Sequence, residues 1–180
     1  MGESLRSILC REPWYYDLER QCKIKFDEDG TGELVCRREI PIFIAGRIKW
    51  KALSEIGQPL TTSSDEDGGI KRLLELEITL TQQRSSWVSS RPRINEQLLN
   101  DEAFLPKTYK IKLEKGDFVS ASDRTWKPAE VLSDDVPKFA LRLTFDVSPY
   151  PPREQWKSSK GAPDAIKFWE WTEFVAERKA

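Results

Sequence analysis

The chain of 180 residues contains no histidine. The commonest general base and the commonest zinc ligand are therefore missing, and neither a Ser-His-Asp triad nor a Cys-His pair can form within it. Its three cysteines form no Cys-x-x-Cys pair, and its glycines form no phosphate-binding Gly-x-Gly-x-x-Gly or Gly-x-x-x-x-Gly-Lys motif. We therefore predict no catalytic residues, no metal site and no cofactor, and the sequence favours a non-enzymatic protein.

Long apolar runs and an excess of charge of one sign are also missing. The 29 basic and 30 acidic side chains give a net charge of -1, so the composition predicts binding neither to nucleic acid nor to a membrane. The first residues lack the apolar run of a signal peptide, and the odd number of cysteines is typical of free thiols in a reducing compartment. We expect a cytoplasmic protein.

What the sequence does contain is alternation of apolar and polar residues, the signature of half-buried strands. Gly30 and Gly32 can supply the positive φ of a tight turn between the first two strands. A second hairpin is predicted over Lys107–Ala121, turning at Lys115–Gly116. The tail, Asp164–Arg178, is compatible with a helix but favours a strand because it is rich in aromatic and β-branched residues. The remaining predicted strands are Gln21–Phe26, Glu33–Ile40, Ile42–Lys51, Leu73–Gln83 and Lys138–Val147.

Three other segments lack strand periodicity. Ser4–Cys10 predicts a short N-terminal helix, and the polar, glycine-rich residues 57–69 predict a mobile loop. Residues 84–106 predict an irregular cover segment that contains a short helix near its end. About eight antiparallel strands remain, in one domain that spans residues 1–180. Periodicity alone leaves a barrel and a two-sheet sandwich open, and we expect an all-β, eight-stranded up-and-down barrel because closure removes the sheet edges.

Several motifs resemble those of a known family. They are the aromatic start Trp14, Tyr15 and Tyr16, the strand that ends in Phe26, the DGTGEL turn at Asp29–Leu34, the tryptophan of GRIKWK at Trp50 and the closing FWEWT at Phe168–Thr172. Together they are similar to the lipocalin-like branch of the calycins, over Trp14–Arg178. The resemblance implies an eight-stranded barrel whose cavity binds a small apolar molecule.

Five side chains are candidates for ligand binding. By alternation, Arg38 follows Leu34 and Cys36 on the inner face, where an arginine can hold a carboxylate or phosphate. A bulge, or Pro41, would instead turn Arg38 outward. The aromatic candidates lie on inner faces, where they fill a core or line a cavity; they are Trp50, Tyr109, Phe139 and Phe145.

Cys22 and Cys36 face each other if the first hairpin centres on Asp29. Direct pairing across neighbouring strands is often strained, so two buried thiols that pack as small apolar groups are favoured over a disulfide.

These observations predict non-catalytic, intracellular binding of a small, partly apolar or amphipathic ligand inside the barrel. Two alternatives stay open. One is a protein–protein interaction module with a filled core, and the other is a cofactor-free isomerase or cyclase on the same barrel.

Overall fold

The computed structural model describes residues 4–38, 42–56, 71–88, 98–126, 135–158 and 162–180. Among these residues eight antiparallel strands follow one another in an up-and-down sheet that closes into a ring. The predicted all-β barrel is thus confirmed, and the alternative of a two-sheet sandwich is wrong. The predicted mobile loop at residues 57–69 lies outside the described residues.

The strands are β1 (Trp14–Tyr15), β2 (Cys22–Phe26), β3 (Thr31–Arg37), β4 (Ile42–Ile56), β5 (Lys71–Arg84), β6 (Lys107–Phe118), β7 (Phe139–Phe145) and β8 (Glu173–Arg178). The described helices are α1 (Leu5–Cys10), α2 (Ala121–Trp126) and α3 (Ala162–Ile166). Short 3-10 turns are described at Asp101–Phe104, Arg153–Gln155 and Phe168–Glu170. No described helix has the length and hydrophobicity needed to cross a membrane.

The register of β2 and β3 follows the predicted pattern. Cys22 pairs with Cys36, Ile24 with Leu34 and Phe26 with Gly32. The turn is fixed by Asp29, whose Oδ1 accepts bonds from the backbone N–H of Thr31 at 2.9 Å and from its hydroxyl at 2.7 Å. Gly30 takes the positive φ, +85°, whereas Gly32 belongs to β3.

The ring closes where β8 pairs with both β7 and β1. Leu143 of β7 lies opposite Phe174, and Tyr15 of β1 lies opposite Val175. The inner face is built from large apolar side chains, and Trp14, Phe26 and Phe174 are entirely buried. Burial of this apolar surface is the main favourable term in holding the ring closed.

Three sequence predictions need correction. Lys115–Gly116 is not a hairpin turn, because β6 runs unbroken to Phe118 and accommodates one extra residue as a register shift against β7. The tail is mixed: α3 and a 3-10 turn precede a true strand, β8. The strand expected at Glu33–Ile40 ends at Arg37, and residues 39–41 lie outside the described part of the chain.

Because neighbouring strands are antiparallel, the connections alternate between the two ends of the barrel. We call one the Arg38 end; it carries the connections β1–β2, β3–β4, β5–β6 and β7–β8. The other, the Trp50 end, carries the β2–β3 turn and α1. There Trp50 donates from Nε1 to the carbonyl of Asp27 at 3.0 Å, and the Arg6 guanidinium lies 4.8 Å from the centre of its ring.

Helix α1 begins at the Ser4 cap, whose hydroxyl accepts the N–H of Ser7 at 3.1 Å. Such a cap satisfies one of the free N–H groups of the first turn. The helix buries Leu5, Ile8 and Leu9 against the barrel. The predicted N-terminal helix is therefore confirmed.

Candidate functional site

Arg38 lies directly after β3, at the point where the sheet becomes irregular. The pairing of β3 with β4 shifts register between Cys36 and Arg37, so the strict alternation that predicted an inward Arg38 ends one residue before it. The side chain is neither fully inward nor fully solvated. It is half-buried, and its guanidinium carbon lies 5.9 Å from the centre of the Trp171 ring. This distance is within the range of a cation–π contact.

Trp171 is held in place by Tyr16. The two rings are parallel, with an interplanar angle of 5° and centroids 3.6 Å apart. Trp171 lies just before β8 and Tyr16 just after β1, so ring closure brings them together. The result is a flat aromatic platform, made of Tyr16 and Trp171, beneath the Arg38 guanidinium.

Asp17 follows Tyr16 directly in the chain and is only 4% exposed. Its carboxylate accepts the backbone N–H of Cys22 at 2.9 Å and that of Gln21 at 3.3 Å. Burial raises the pKa of Asp17, while these hydrogen bonds and the positive charge of Arg38 act in the opposite direction. The carboxylate thus stabilises the β1–β2 connection through these hydrogen bonds.

The charge of Arg38 influences several groups without forming an ion pair with them. It acts to lower the pKa of Tyr16, of Asp17 and of Cys36, in each case against a larger effect of burial. Within the described ranges no carboxylate lies within ion-pairing distance of Arg38. A guanidinium in this position can donate N–H hydrogen bonds to an anion.

Aromatic side chains from the β7–β8 connection close the Arg38 end beneath the platform. Tyr150 is one of them, and its hydroxyl donates to the carbonyl of Val35 at 2.7 Å. Burial raises the pKa of Tyr150 far above its ordinary value, so the phenol stays a neutral donor. The rings in contact with one another include those of Phe43, Tyr150, Trp156, Phe168, Trp169 and Trp171.

Part of the predicted cover segment joins this closure. Leu99 forms an isolated bridge with Trp156, and Asn100 donates its N–H to the carbonyl of Gln155 at 2.8 Å. The Asp101–Phe104 turn corresponds to the end of the predicted short helix, whose first residues lie outside the described part of the chain.

The five predicted site residues fall into two groups. Tyr109 and Phe145 contact each other edge to face, with centroids 5.8 Å apart, and lie toward the Arg38 end of β6 and β7. Trp50 and Phe139 lie toward the Trp50 end. Lys49 pairs with Thr31, so Trp50 is level with Gly30 and lies about eight residues from Arg38 along the sheet. At about 3.3 Å per residue this is roughly 26 Å, so the fold does not bring all five into one contact group.

All four predicted aromatic side chains are buried. Phe145 also meets Phe174, with centroids 5.7 Å apart, so part of the interior is filled by ring–ring contacts. Sequence reasoning missed Tyr16 and Trp171 as partners of Arg38. Both belong to the aromatic motifs that carried the family resemblance, but nothing in their spacing links them to Arg38.

Within the part of the chain that the structure describes, other chemical arrangements give no stronger candidate. A polar groove of about 340 Å³ lies at the Trp50 end, lined by Asp117, Asp135, Val136, Pro137, Lys138, Arg178, Lys179 and Ala180. No group of three or more cysteine and carboxylate side chains among the described residues is placed to hold a metal ion.

Comparison of the chain with protein-family models, with curated proteins and with solved structures finds no match.

Proposed function

We propose that this protein binds, without catalysis, a small and partly apolar ligand that carries an anionic group, and that the anion is held at the Arg38 end of the barrel. The observation that carries the proposal is the half-buried Arg38 guanidinium on the Trp171–Tyr16 platform, with no ion pair among the described residues. The resemblance of Trp14–Arg178 to lipocalin-like barrels supports the same class of function.

The platform suits an amphipathic anion for a physical reason. Contact with the Trp171 face orients the guanidinium plane and partly strips it of water, which strengthens its attraction for a carboxylate or phosphate. The apolar portion of the ligand would contact the platform and, deeper in the barrel, Tyr109 and Phe145. Those two rings contact each other, so entry of the ligand requires them to move apart.

Contact with Trp50 or Phe139 requires a ligand long enough to extend through most of the barrel. We therefore place Arg38, Trp171 and Tyr16 at the centre of the proposed site, and Tyr109 and Phe145 at its inner limit. A cytoplasmic location stays a prediction from the sequence.

The first experiment is native mass spectrometry of the protein purified from its own cells, followed by extraction of any bound molecule. A stoichiometric adduct that contains an acidic group is the expected result. A bound molecule with no anionic group would contradict the role of Arg38.

The second experiment measures binding of 8-anilinonaphthalene-1-sulfonate, an amphipathic anion, by fluorescence titration. Arg38→Ala should weaken binding by about 10- to 100-fold, because a hydrogen bond between charged groups contributes about 1.5–3 kcal/mol. Arg37→Ala is the matched control. The guanidinium carbon of Arg37 lies 5.5 Å from the centre of the Trp87 ring, not on the platform, so binding of the probe by this variant should be unchanged. Equal affinities of the two variants for this probe would refute the assignment of Arg38.

A separate observation favours the interaction module as a second candidate. Trp87 is 41% exposed beside Arg37, and the next residue, Val88, forms a small apolar cluster with Ala45. If this surface binds a protein, Trp87→Ala should abolish co-purification of that partner from native extracts, while Arg38→Ala should leave it intact.

A further inference from the structure

The two buried cysteines of the β2–β3 hairpin lie directly opposite each other. Cys22 and Cys36 are register partners, their exposed fractions are 1% and 0%, and their sulfur atoms are 3.3 Å apart. Both are free thiols. This matches the expectation of two packed thiols, and it adds a proximity that the sequence could only suggest.

The hydrogen-bond pattern shows which kind of cross-strand pair they occupy. The N–H of Cys22 points toward β1, to the Asp17 carboxylate at 2.9 Å, and its carbonyl accepts the N–H of Tyr16 at 3.0 Å. Neither backbone group is therefore directed at Cys36. In an antiparallel sheet, such a non-hydrogen-bonded pair has Cα atoms about 4.5 Å apart, with the side chains closer together than in the other type.

A Cα separation of this size falls within the range that disulfides span, about 4.4–6.8 Å. Rotation of the two short side chains is enough to bring the sulfur atoms to bonding distance, and the backbone of the hairpin need not shift. A disulfide between neighbouring strands is usually strained, but the strain is smallest at a non-hydrogen-bonded pair such as this one.

We propose that Cys22 and Cys36 are a modification site, at which a peroxide converts the two thiols into a reversible intrachain disulfide. This inference does not depend on the proposed ligand-binding function.

The chemistry balances with hydrogen peroxide as the oxidant. The Cys22 thiolate attacks one peroxide oxygen, the O–O bond breaks, and the product is a sulfenic acid plus water once the released hydroxide is protonated. The Cys36 sulfur then attacks the Cys22 sulfur, the S–O bond breaks, and a second water leaves with the Cys36 proton. Two thiols are oxidised, and one peroxide is reduced to two waters.

The surroundings of the two thiols indicate that Cys22 reacts first with the peroxide. Burial and the adjacent Cys22 raise the pKa of Cys36 well above its ordinary value, so Cys36 is a poor first nucleophile. Cys22 lies at the end of the pairing, with its sulfur 3.6 Å from the carbonyl of Arg37. A peroxide is small enough to reach such a buried site during brief local opening of the hairpin.

The test uses the full chain with Cys10→Ser, so that only the pair remains, treated with hydrogen peroxide and followed by intact and peptide mass spectrometry. The expected product has lost two hydrogen atoms, carries a bridge between the peptides of Cys22 and Cys36, and is restored by dithiothreitol. Closing a loop of about 15 residues should raise its Tm by roughly 6–12 °C.

Cys36→Ala in the same background is the control. It should accumulate a sulfenic acid at Cys22, detected as a dimedone adduct, and should gain no Tm. Sulfinic acid on the folded pair in place of a bridge would overturn the proposal. So would two thiols that survive treatment of the folded protein, while the same chain oxidised in denaturant forms the bridge.

Discussion

Gly32 is the position in the first hairpin where a single methyl group should be most damaging. A Cβ built on Gly32 would lie 2.0 Å from the carbonyl oxygen of Lys25 and 3.1 Å from a side-chain carbon of Ile48. The oxygen belongs to the backbone of β2, so it cannot rotate away. Gly32→Ala therefore requires β2 and β3 to separate locally by more than 1 Å before ordinary van der Waals contact, near 3.4 Å, is reached.

The cost follows from two terms. Overpacking a closely packed region costs about 1–3 kcal/mol, and each backbone hydrogen bond weakened by the separation adds about 1 kcal/mol. We expect Gly32→Ala to lower the free energy of unfolding by about 3 kcal/mol or more. For a domain of this size, that loss corresponds to a fall in Tm of roughly 6–12 °C.

Urea unfolding followed by tryptophan fluorescence measures this loss directly. Gly116→Ala is the matched control, because the atoms nearest to its Cβ would be those of the Phe118 ring, at 3.0 Å and 3.3 Å, and a side chain can move aside. We expect the control to lose less than about 1 kcal/mol. If Gly32→Ala is as stable as Gly116→Ala, the close approach of Lys25 to Gly32 is refuted.

Two further variants test the Arg38 end. Tyr150→Phe should lower the free energy of unfolding by about 1 kcal/mol, because it removes the buried bond to Val35; an unchanged urea midpoint would contradict that bond. Asp17→Asn tests the raised pKa of Asp17. In wild type the folded state binds the Asp17 proton more tightly than the unfolded state does, and this tighter binding stabilises the fold below pH 3.8. The stabilisation is lost as pH rises through the folded pKa. The stability of Asp17→Asn relative to wild type should therefore be greater at pH 7 than at pH 4, and the reverse trend would show that the pKa is lowered.

The alternation of apolar and polar residues was sufficient to predict the register of strands whose partners are neighbours in the chain. The alternation around Asp29 predicted the Cys22–Cys36 register because a two-residue period and one turn centre determine every pair of a hairpin. The same reasoning failed at Lys115–Gly116, where a glycine typical of a turn lies inside β6. There β7 pairs with the strand on both sides of the irregularity, and this long-range pairing overrides the local preference.

The candidate site depends on contacts of the opposite kind. Arg38 was proposed from the sequence because a charge next to an inward-facing strand end needs a partner. The ring that it contacts, Trp171, lies just before β8 and is stacked on Tyr16, just after β1. Tyr16 and Trp171 become neighbours only when β8 pairs with β1 and closes the barrel. A single residue of β1, Tyr15, is paired in that closure, so the platform beneath Arg38 depends on one of the shortest pairings in the ring. If the proposed site is correct, substitutions that weaken the β1–β8 pairing should therefore reduce binding of 8-anilinonaphthalene-1-sulfonate before they unfold the rest of the barrel.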